Sequence, residues 1–218
     1  MLAKSSFSAS LCLTICLFAA GNLAAETRKE TAFSYIELGD KFVRQGDLDR
    51  AIGAYNVALQ FAPHFAPAYF HRAVALERRG DLSKAIADYT KALEITPALT
   101  NAFYNRGNLR LNQGDLDGAV SDFDRALETD PGYGMAYNNR GIARMAKGDM
   151  DGAITDFDQA IKINPDHPEA YVNLGLIRLQ QGRRSEAERE FARSLALKPS
   201  LKTFIESRIG QITHVSVH

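Results

Sequence analysis

The sequence predicts an all-α solenoid of five stacked helical hairpins. Two series of residues carry this prediction, because each recurs five times at intervals of 34 positions without an insertion. The recurring prolines are Pro63, Pro97, Pro131, Pro165 and Pro199. The recurring glycines are Gly46, Gly80, Gly114, Gly148 and Gly182. A constant period of this length indicates a repeat protein, in which each unit buries its apolar face against its neighbours.

Each period contains the signals for two helices and a turn between them. In the third period, the aromatic Phe103 and the small Gly107 lie four residues apart, on one face of a first helix. Gly114 predicts the end of that helix, because glycine adopts the left-handed conformation at low cost. Asp115 can cap the second helix through its side-chain oxygen, and Pro131 ends it because proline cannot continue the hydrogen-bond ladder.

The order of these features resembles the tetratricopeptide repeat (TPR). That family has an aromatic residue, a small residue, an Ala-x3-aromatic pair and a proline, with a period of 34 residues. The resemblance divides the chain into repeats 32–65, 66–99, 100–133, 134–167 and 168–201. It implies a right-handed α-solenoid whose first helices line a concave, ligand-binding surface.

A short N-terminal stretch at 26–31 precedes the predicted repeats, and two segments follow them. Residues 202–212 are expected to form a capping helix, because Phe204, Ile205 and Ile209 fall close to one helical stripe and can cover the last repeat. Residues 213–218 are expected to be a frayed tail.

The first 25 residues differ from the rest and predict a secretory signal peptide. Lys4 is followed by an apolar run over 11–20 and by small residues at Ala24 and Ala25, which is the order of a signal peptide and its cleavage site. We therefore expect cleavage near Ala25 and a periplasmic or secreted mature chain. An uncleaved membrane anchor is the alternative. The only two cysteines, Cys12 and Cys16, lie in this segment, so the mature chain would form no disulfide.

Arginines replace apolar residues inside several predicted hairpins and need acidic partners. Within repeats two to five, such an arginine always occurs together with an acid on the second helix. We predict structural ion pairs of Arg72 with Asp88, Arg106 with Asp122, Arg140 with Asp156, and Arg178 with Glu190. The alternative is that recently duplicated repeats share both residues without a contact between them.

The resemblance also implies which side chains face a ligand. In repeats three to five the predicted binding residues are Tyr104, Asn105, Asn108, Asn112, Met135, Asn138, Asn139, Met145, Asn173 and Leu179. The asparagines can donate to and accept from a peptide backbone, and the apolar side chains add adaptable contacts. Tyr104 and Glu169 stand where family members that grip an acidic C-terminus carry lysine. We therefore expect a mostly neutral, apolar peptide segment as ligand.

Composition and motifs argue against several other functions. Lys+Arg and Asp+Glu both number 26, whereas nucleic-acid-binding proteins usually carry an excess of basic residues. The five histidines show no metal-binding spacing, and neither a phosphate loop nor a nucleophile elbow is present, so we expect no catalysis, cofactor or metal. The favoured interpretation is an exported adaptor that binds another protein or peptide. The alternatives are a self-assembling repeat protein that forms homo-oligomers, or a cytosolic co-chaperone if the leader is not a signal.

Overall fold

The computed structural model describes residues 4–215, without the side chains of residues 4–22, Ala24 and residues 213–215. The predicted signal peptide therefore lies almost entirely outside the described side chains. The chain divides into two compact parts, Met1–Pro97 and Ala98–His218, which are described separately below.

The first part contains two helical hairpins. Its helices are α1 (Lys4–Arg44), α2 (Leu48–Phe61), α3 (Ala66–Arg79) and α4 (Leu82–Ile95). Hairpin 1 pairs the end of α1 with α2, and hairpin 2 pairs α3 with α4. Its core consists of alanines, of isoleucines and leucines such as Ile36 and Leu76, and of two tyrosines, Tyr55 and Tyr89, whose side chains are almost completely buried.

The second part contains three hairpins and a terminal helix. Its helices are α5 (Thr100–Asn112), α6 (Leu116–Thr129), α7 (Gly134–Ala146), α8 (Met150–Ile163), α9 (Pro168–Gln180), α10 (Arg184–Leu197) and α11 (Lys202–Val215). A 3-10 turn at Pro199–Leu201 leads into α11. Hairpins 3, 4 and 5 are α5–α6, α7–α8 and α9–α10. These consecutive helix-turn-helix units form the predicted all-α solenoid fold.

Local sequence signals determine where the helices begin and end. The glycine that follows each first helix has a positive φ, for example 81° at Gly114, so a side chain there would be strained. Asp115 accepts a hydrogen bond from the Gly118 backbone at 3.0 Å, which caps α6. Asp81 differs from the equivalent aspartates, because it makes no capping bond and instead contacts Arg79 at 2.6 Å.

Small residues bring the two helices of a hairpin close together. A methyl group on Gly107 would lie 2.9 Å from the ring of Phe123, and one on Gly141 would lie 2.7 Å from the ring of Phe157. Both rings are completely buried. In hairpins 3 and 4 the aromatic side chain of the second helix therefore fits only because its partner residue lacks a side chain.

Helix α11 covers the end of hairpin 5. Ile205 is 3% exposed and packs in one cluster with Val172, Leu176 and Phe191. The helix continues to Val215, three residues past the predicted end at Ile212. Residues 213–215, expected to be frayed, are therefore helical, while residues 216–218 lie outside the described chain.

Candidate ligand-binding face and its framework

Paired charges join the two helices of hairpins 2, 3 and 4. Arg72 donates from Nε to Asp88 at 2.6 Å, and Arg106 and Arg140 make the equivalent contacts with Asp122 and Asp156. Each contact is bidentate, because the second guanidinium nitrogen donates to the other carboxylate oxygen at 2.6 to 2.7 Å. This fork geometry gives strong, directional hydrogen bonds.

A second arginine completes the cluster in hairpins 3 and 4. Arg110 donates to Asp122 at 2.8 Å, and Arg144 donates to Asp156 at 2.9 Å. Asp122 and Asp156 are 2% and 1% exposed, so each buried carboxylate depends on its two arginines for hydrogen bonds. These side chains form framework inside the hairpins.

Two of the arginines that make the bidentate contacts also reach the preceding hairpin. Arg140 of α7 donates to Asp124 of α6 at 2.6 Å, and Arg72 of α3 donates to Asn56 of α2 at 2.7 Å. The sequence reasoning missed these contacts. The signal was a polar residue 16 positions before each of Arg72, Arg106 and Arg140, at the same place in three successive repeats.

Hairpin 5 differs from this arrangement. The predicted ion pair of Arg178 with Glu190 is present, with Nε 3.7 Å from the carboxylate, but at this distance it is no hydrogen bond. Arg178 is hydrogen-bonded to Glu186 instead. That buried Nε has no hydrogen-bond partner. Leu174 occupies the repeat position of Arg140, so the acid Asp158 has no equivalent of the Arg140–Asp124 contact. Hairpin 5 differs from hairpins 3 and 4 because leucine replaces one arginine and the longer glutamate replaces aspartate.

Two carboxyl groups near Arg178 are harder to ionise than usual. Burial raises the pKa of Glu190, an effect that Arg178 opposes and Asp158 strengthens. Burial likewise raises the pKa of the partly exposed Asp158, and Arg178 opposes it. In both cases loss of hydration outweighs attraction to the single arginine.

These shifts predict how stability depends on pH. A carboxyl whose pKa is higher in the folded than in the unfolded state binds more protons when folded, so it lowers stability as the pH rises through its titration. The double variant Asp158→Asn with Glu190→Gln should therefore gain stability over the parent at neutral pH. The gain should shrink as the pH falls through the raised folded pKa values, and it should be lost by about pH 4, near the unfolded values. The gain is measured as the difference in urea midpoint between variant and parent from neutral pH to below pH 4. Glu188→Gln, a substitution of an exposed glutamate, is the control. A gain in stability that becomes larger at acidic pH would contradict the raised pKa values of Asp158 and Glu190.

The predicted binding asparagines bond mainly to one another. Asn173 donates to Asn138 at 3.1 Å, and Asn138 donates to Asn139 at 2.9 Å. Asn139 then donates to Asn108 at 2.7 Å and to the Tyr104 hydroxyl at 3.2 Å. Both N–H groups of Asn139 are thus used inside the protein. The network links α5, α7 and α9 and holds their spacing.

One predicted binding residue is buried, and two others are partly buried. Asn138 is 5% exposed. Met145 packs against the cluster around Phe157, and Leu179 packs against the one around Phe191. Because Asn138 is buried, we correct its assignment to a structural position. Met145 and Leu179 are only half-buried, so their role in binding stays a prediction.

The other predicted residues form what we call the neutral face. It comprises Tyr104, Asn105, Asn108, Asn112, Met135, Asn139 and Asn173 on α5, α7 and α9. Met135 is 49% exposed, and Asn112 is also exposed. Tyr104 is held by Tyr133, with ring centroids 4.8 Å apart. None of these side chains is charged, and their role in binding stays a prediction.

An acid–histidine cluster occupies the related position in the first part of the chain. His71 Nδ1 lies 2.8 Å from Asp40 Oδ1, which also accepts a hydrogen bond from Tyr55 at 2.6 Å. Burial, together with the hydrogen bond to Asp40, raises the pKa of Tyr55 far above its usual range. These contacts tie α1, α2 and α3 together.

Comparisons with known proteins identify the family. Sequence models of the tetratricopeptide repeat match residues 36–99, 100–133 and 168–201, and a further TPR model matches residues 141–182. The chain is a tetratricopeptide-repeat protein. No curated protein sequence matches this TPR chain significantly.

Solved structures show the same TPR fold. A crystal structure of MamA is 26% identical and has a TM-score of 0.71, with 76% of this chain and 96% of MamA covered. YrrB, described as a TPR protein with an unusual peptide-binding site, is 23% identical with a TM-score of 0.69, covering 82% and 92%. MamA from Desulfovibrio magneticus RS-1 is 19% identical with a TM-score of 0.72, covering 78% and 96%.

The described residues show two further negative findings. They contain no group of three or more histidine, cysteine, aspartate or glutamate side chains arranged to hold a metal ion. In the same part of the chain, no helix is long and apolar enough to cross a membrane.

Proposed function

We propose that this TPR protein is a non-catalytic scaffold that holds an uncharged, partly apolar peptide segment on its neutral face. The observation that carries the proposal is the absence of charge on this face. The adjacent Glu169 is neutralised by Lys198 at 2.8 Å. A repeat protein binds through such extended surfaces, and Met135 and Tyr104 supply apolar area there.

The amide network supports the proposal in a different way from the one the sequence suggested. Since both N–H groups of Asn139 donate to Asn108 and Tyr104, Asn139 has no donor left for a hydrogen bond to the ligand. Instead it fixes the positions of those two side chains before binding. A preorganised surface loses less conformational entropy when a ligand docks. Asn139→Ala would therefore test the framework, and Met135→Ala tests the contact itself.

A photo-crosslinking amino acid at position 135 should capture a partner that the same group at the exposed position 117 does not. With the partner identified, Met135→Ala should weaken binding by up to about tenfold. Met135 is 49% exposed, so the ligand can bury only about half of a side chain whose full burial contributes about 1.5–3 kcal/mol. The affinity should change little between low and high salt, because no charged pair is involved. Glu188→Ala is the matched control. Steep salt dependence, or full affinity in Met135→Ala, would place the binding surface elsewhere.

We further propose that the protein is exported and works in the bacterial periplasm. Support comes from Lys4, the apolar run at 11–20 and the small residues Ala24 and Ala25. The protein purified from its native host should begin near Glu26 and occur in the periplasmic fraction. An intact N-terminus in the cytoplasmic fraction would exclude this location.

A further inference from the structure

A cavity of about 430 Å³ lies in the first compact part, between α1 and the turn that joins α2 to α3. Ala25, Arg28 and Lys29 line it from α1, and Phe61, Ala62, Pro63, His64 and Phe65 line it from the turn. A chain that begins near Glu26 would lose Ala25 but keep both cations and the whole turn. Its volume falls within the range of about 300–1,000 Å³ that is usual for small-ligand sites. It shares no residue with the neutral face.

The turn supplies an apolar wall. Phe61 stacks on Tyr35, with ring centroids 5.8 Å apart and an angle of 14° between the planes. Although this contact holds the ring in place, 41% of Phe61 is still exposed. Phe65 is half-buried, and Pro63 is exposed beside it. An exposed but positioned aromatic ring can bind an apolar group without reorganising.

The α1 side supplies positive charge. Arg28 and Lys29 are exposed, and neither forms an ion pair with any side chain in the described part of the chain. Other exposed arginines, such as Arg50 and Arg183, do contact carboxylates. No acidic side chain lines the cavity; Glu26 and Glu30 are on the same helix but outside the lining. Two unpaired cations beside an apolar wall favour a ligand with a negative end and an apolar end.

We propose that this cavity binds a carboxylate that carries an aromatic or short aliphatic group. The carboxylate would pair with Arg28 and Lys29, and the apolar group would pack on Phe61 and Phe65. Two sources have this chemistry: the C-terminal residue of a peptide and a free carboxylic acid. The site is separate from the proposed peptide-binding face, so either can fail without the other.

The test is an NMR titration of the protein with three probes: N-acetylphenylalanine, its carboxamide, and octanoate. At least one carboxylate should bind with a Kd of about 1 mM, as small ligands of this size do, and should shift the amide signals of residues 61–65. Binding should weaken as salt is added, and the carboxamide should bind at least about tenfold more weakly. Binding of N-acetylphenylalanine alone identifies a chain terminus as the source, and binding of octanoate alone identifies a free acid.

Variants decide whether these residues form the site. The double variant Arg28→Ala with Lys29→Ala should lose binding of the carboxylates, whereas Lys41→Ala, an exposed lysine of α1 outside the cavity, should keep it. Phe61→Ser should also weaken binding while the fold, checked by circular dichroism, is retained. Equal binding of acid and carboxamide, unchanged affinity in the double variant, or no binding of either acid at about 10 mM, ten times the expected Kd, would overturn the proposal.

Discussion

Replacing Asp122 with alanine should lower the free energy of unfolding by about 3–5 kcal/mol. The carboxylate is 2% exposed and accepts hydrogen bonds from Arg106 and Arg110 at 2.6 to 3.0 Å. Its removal leaves two positive charges with restricted access to water and without the carboxylate that they share between α5 and α6. The loss comes mainly from the incomplete compensation of these two partly buried charges, since an ion pair by itself contributes little once desolvation is counted.

The matched control for this prediction is Asp117→Ala on the same helix. Asp117 is paired with Lys147, but its side chain is 85% exposed. Exposed pairs contribute about 0–1 kcal/mol. Urea denaturation followed by far-UV circular dichroism measures both variants, and hydrogen exchange shows whether the loss is confined to hairpin 3. If Asp122→Ala is no less stable than Asp117→Ala, the buried cluster does not stabilise the hairpin.

The hairpins could be predicted because their signals are local. Gly114 adopts the left-handed conformation, Asp115 caps α6, and both effects act within one turn of the chain. The pairing of Arg106 with Asp122 could be proposed for a different reason. Five copies of one unit stand in the same sequence, so residues that occur together in some copies and are absent together in others can be compared directly.

Contacts between hairpins were harder to predict. Asn138 and Asn139 are adjacent, but Asn138 is 5% exposed, whereas Asn139 bonds across to α5. About 100° of rotation separates neighbouring residues on a helix, so the packing angle of the next hairpin decides which one is enclosed. In hairpin 5 the ion pair of Arg178 with Glu190 was predicted, whereas the hydrogen bond from Arg178 to Glu186 was not.

Replacing Ile205 with aspartate should detach helix α11 from hairpin 5. Ile205 is 3% exposed within the cluster that contains Val172, Leu176 and Phe191. A carboxylate in that position would lose its hydration without gaining a partner, which costs several kcal/mol in addition to the lost apolar burial. The loss of stability cannot exceed the free energy of docking α11 onto hairpin 5, because a helix that leaves the cluster rehydrates its charge. The exposed cluster should then cause aggregation, since a terminal repeat needs a polar outer face.

Phe204→Asp is the control, because the neighbouring Phe204 is 51% exposed and its change should alter stability by only about 0.5 kcal/mol. Light scattering measures aggregation, and hydrogen exchange measures protection of residues 202–212. Deletion of residues 203–218 should reproduce the result of Ile205→Asp. Comparison of Ile205→Asp with Phe204→Asp separates a packing role from a general effect of added charge. If α11 is a cap, only the substitution at the buried site should cause aggregation and loss of protection. An Ile205→Asp protein that remains dispersed, with α11 still protected, would show that the helix is not needed to cover hairpin 5.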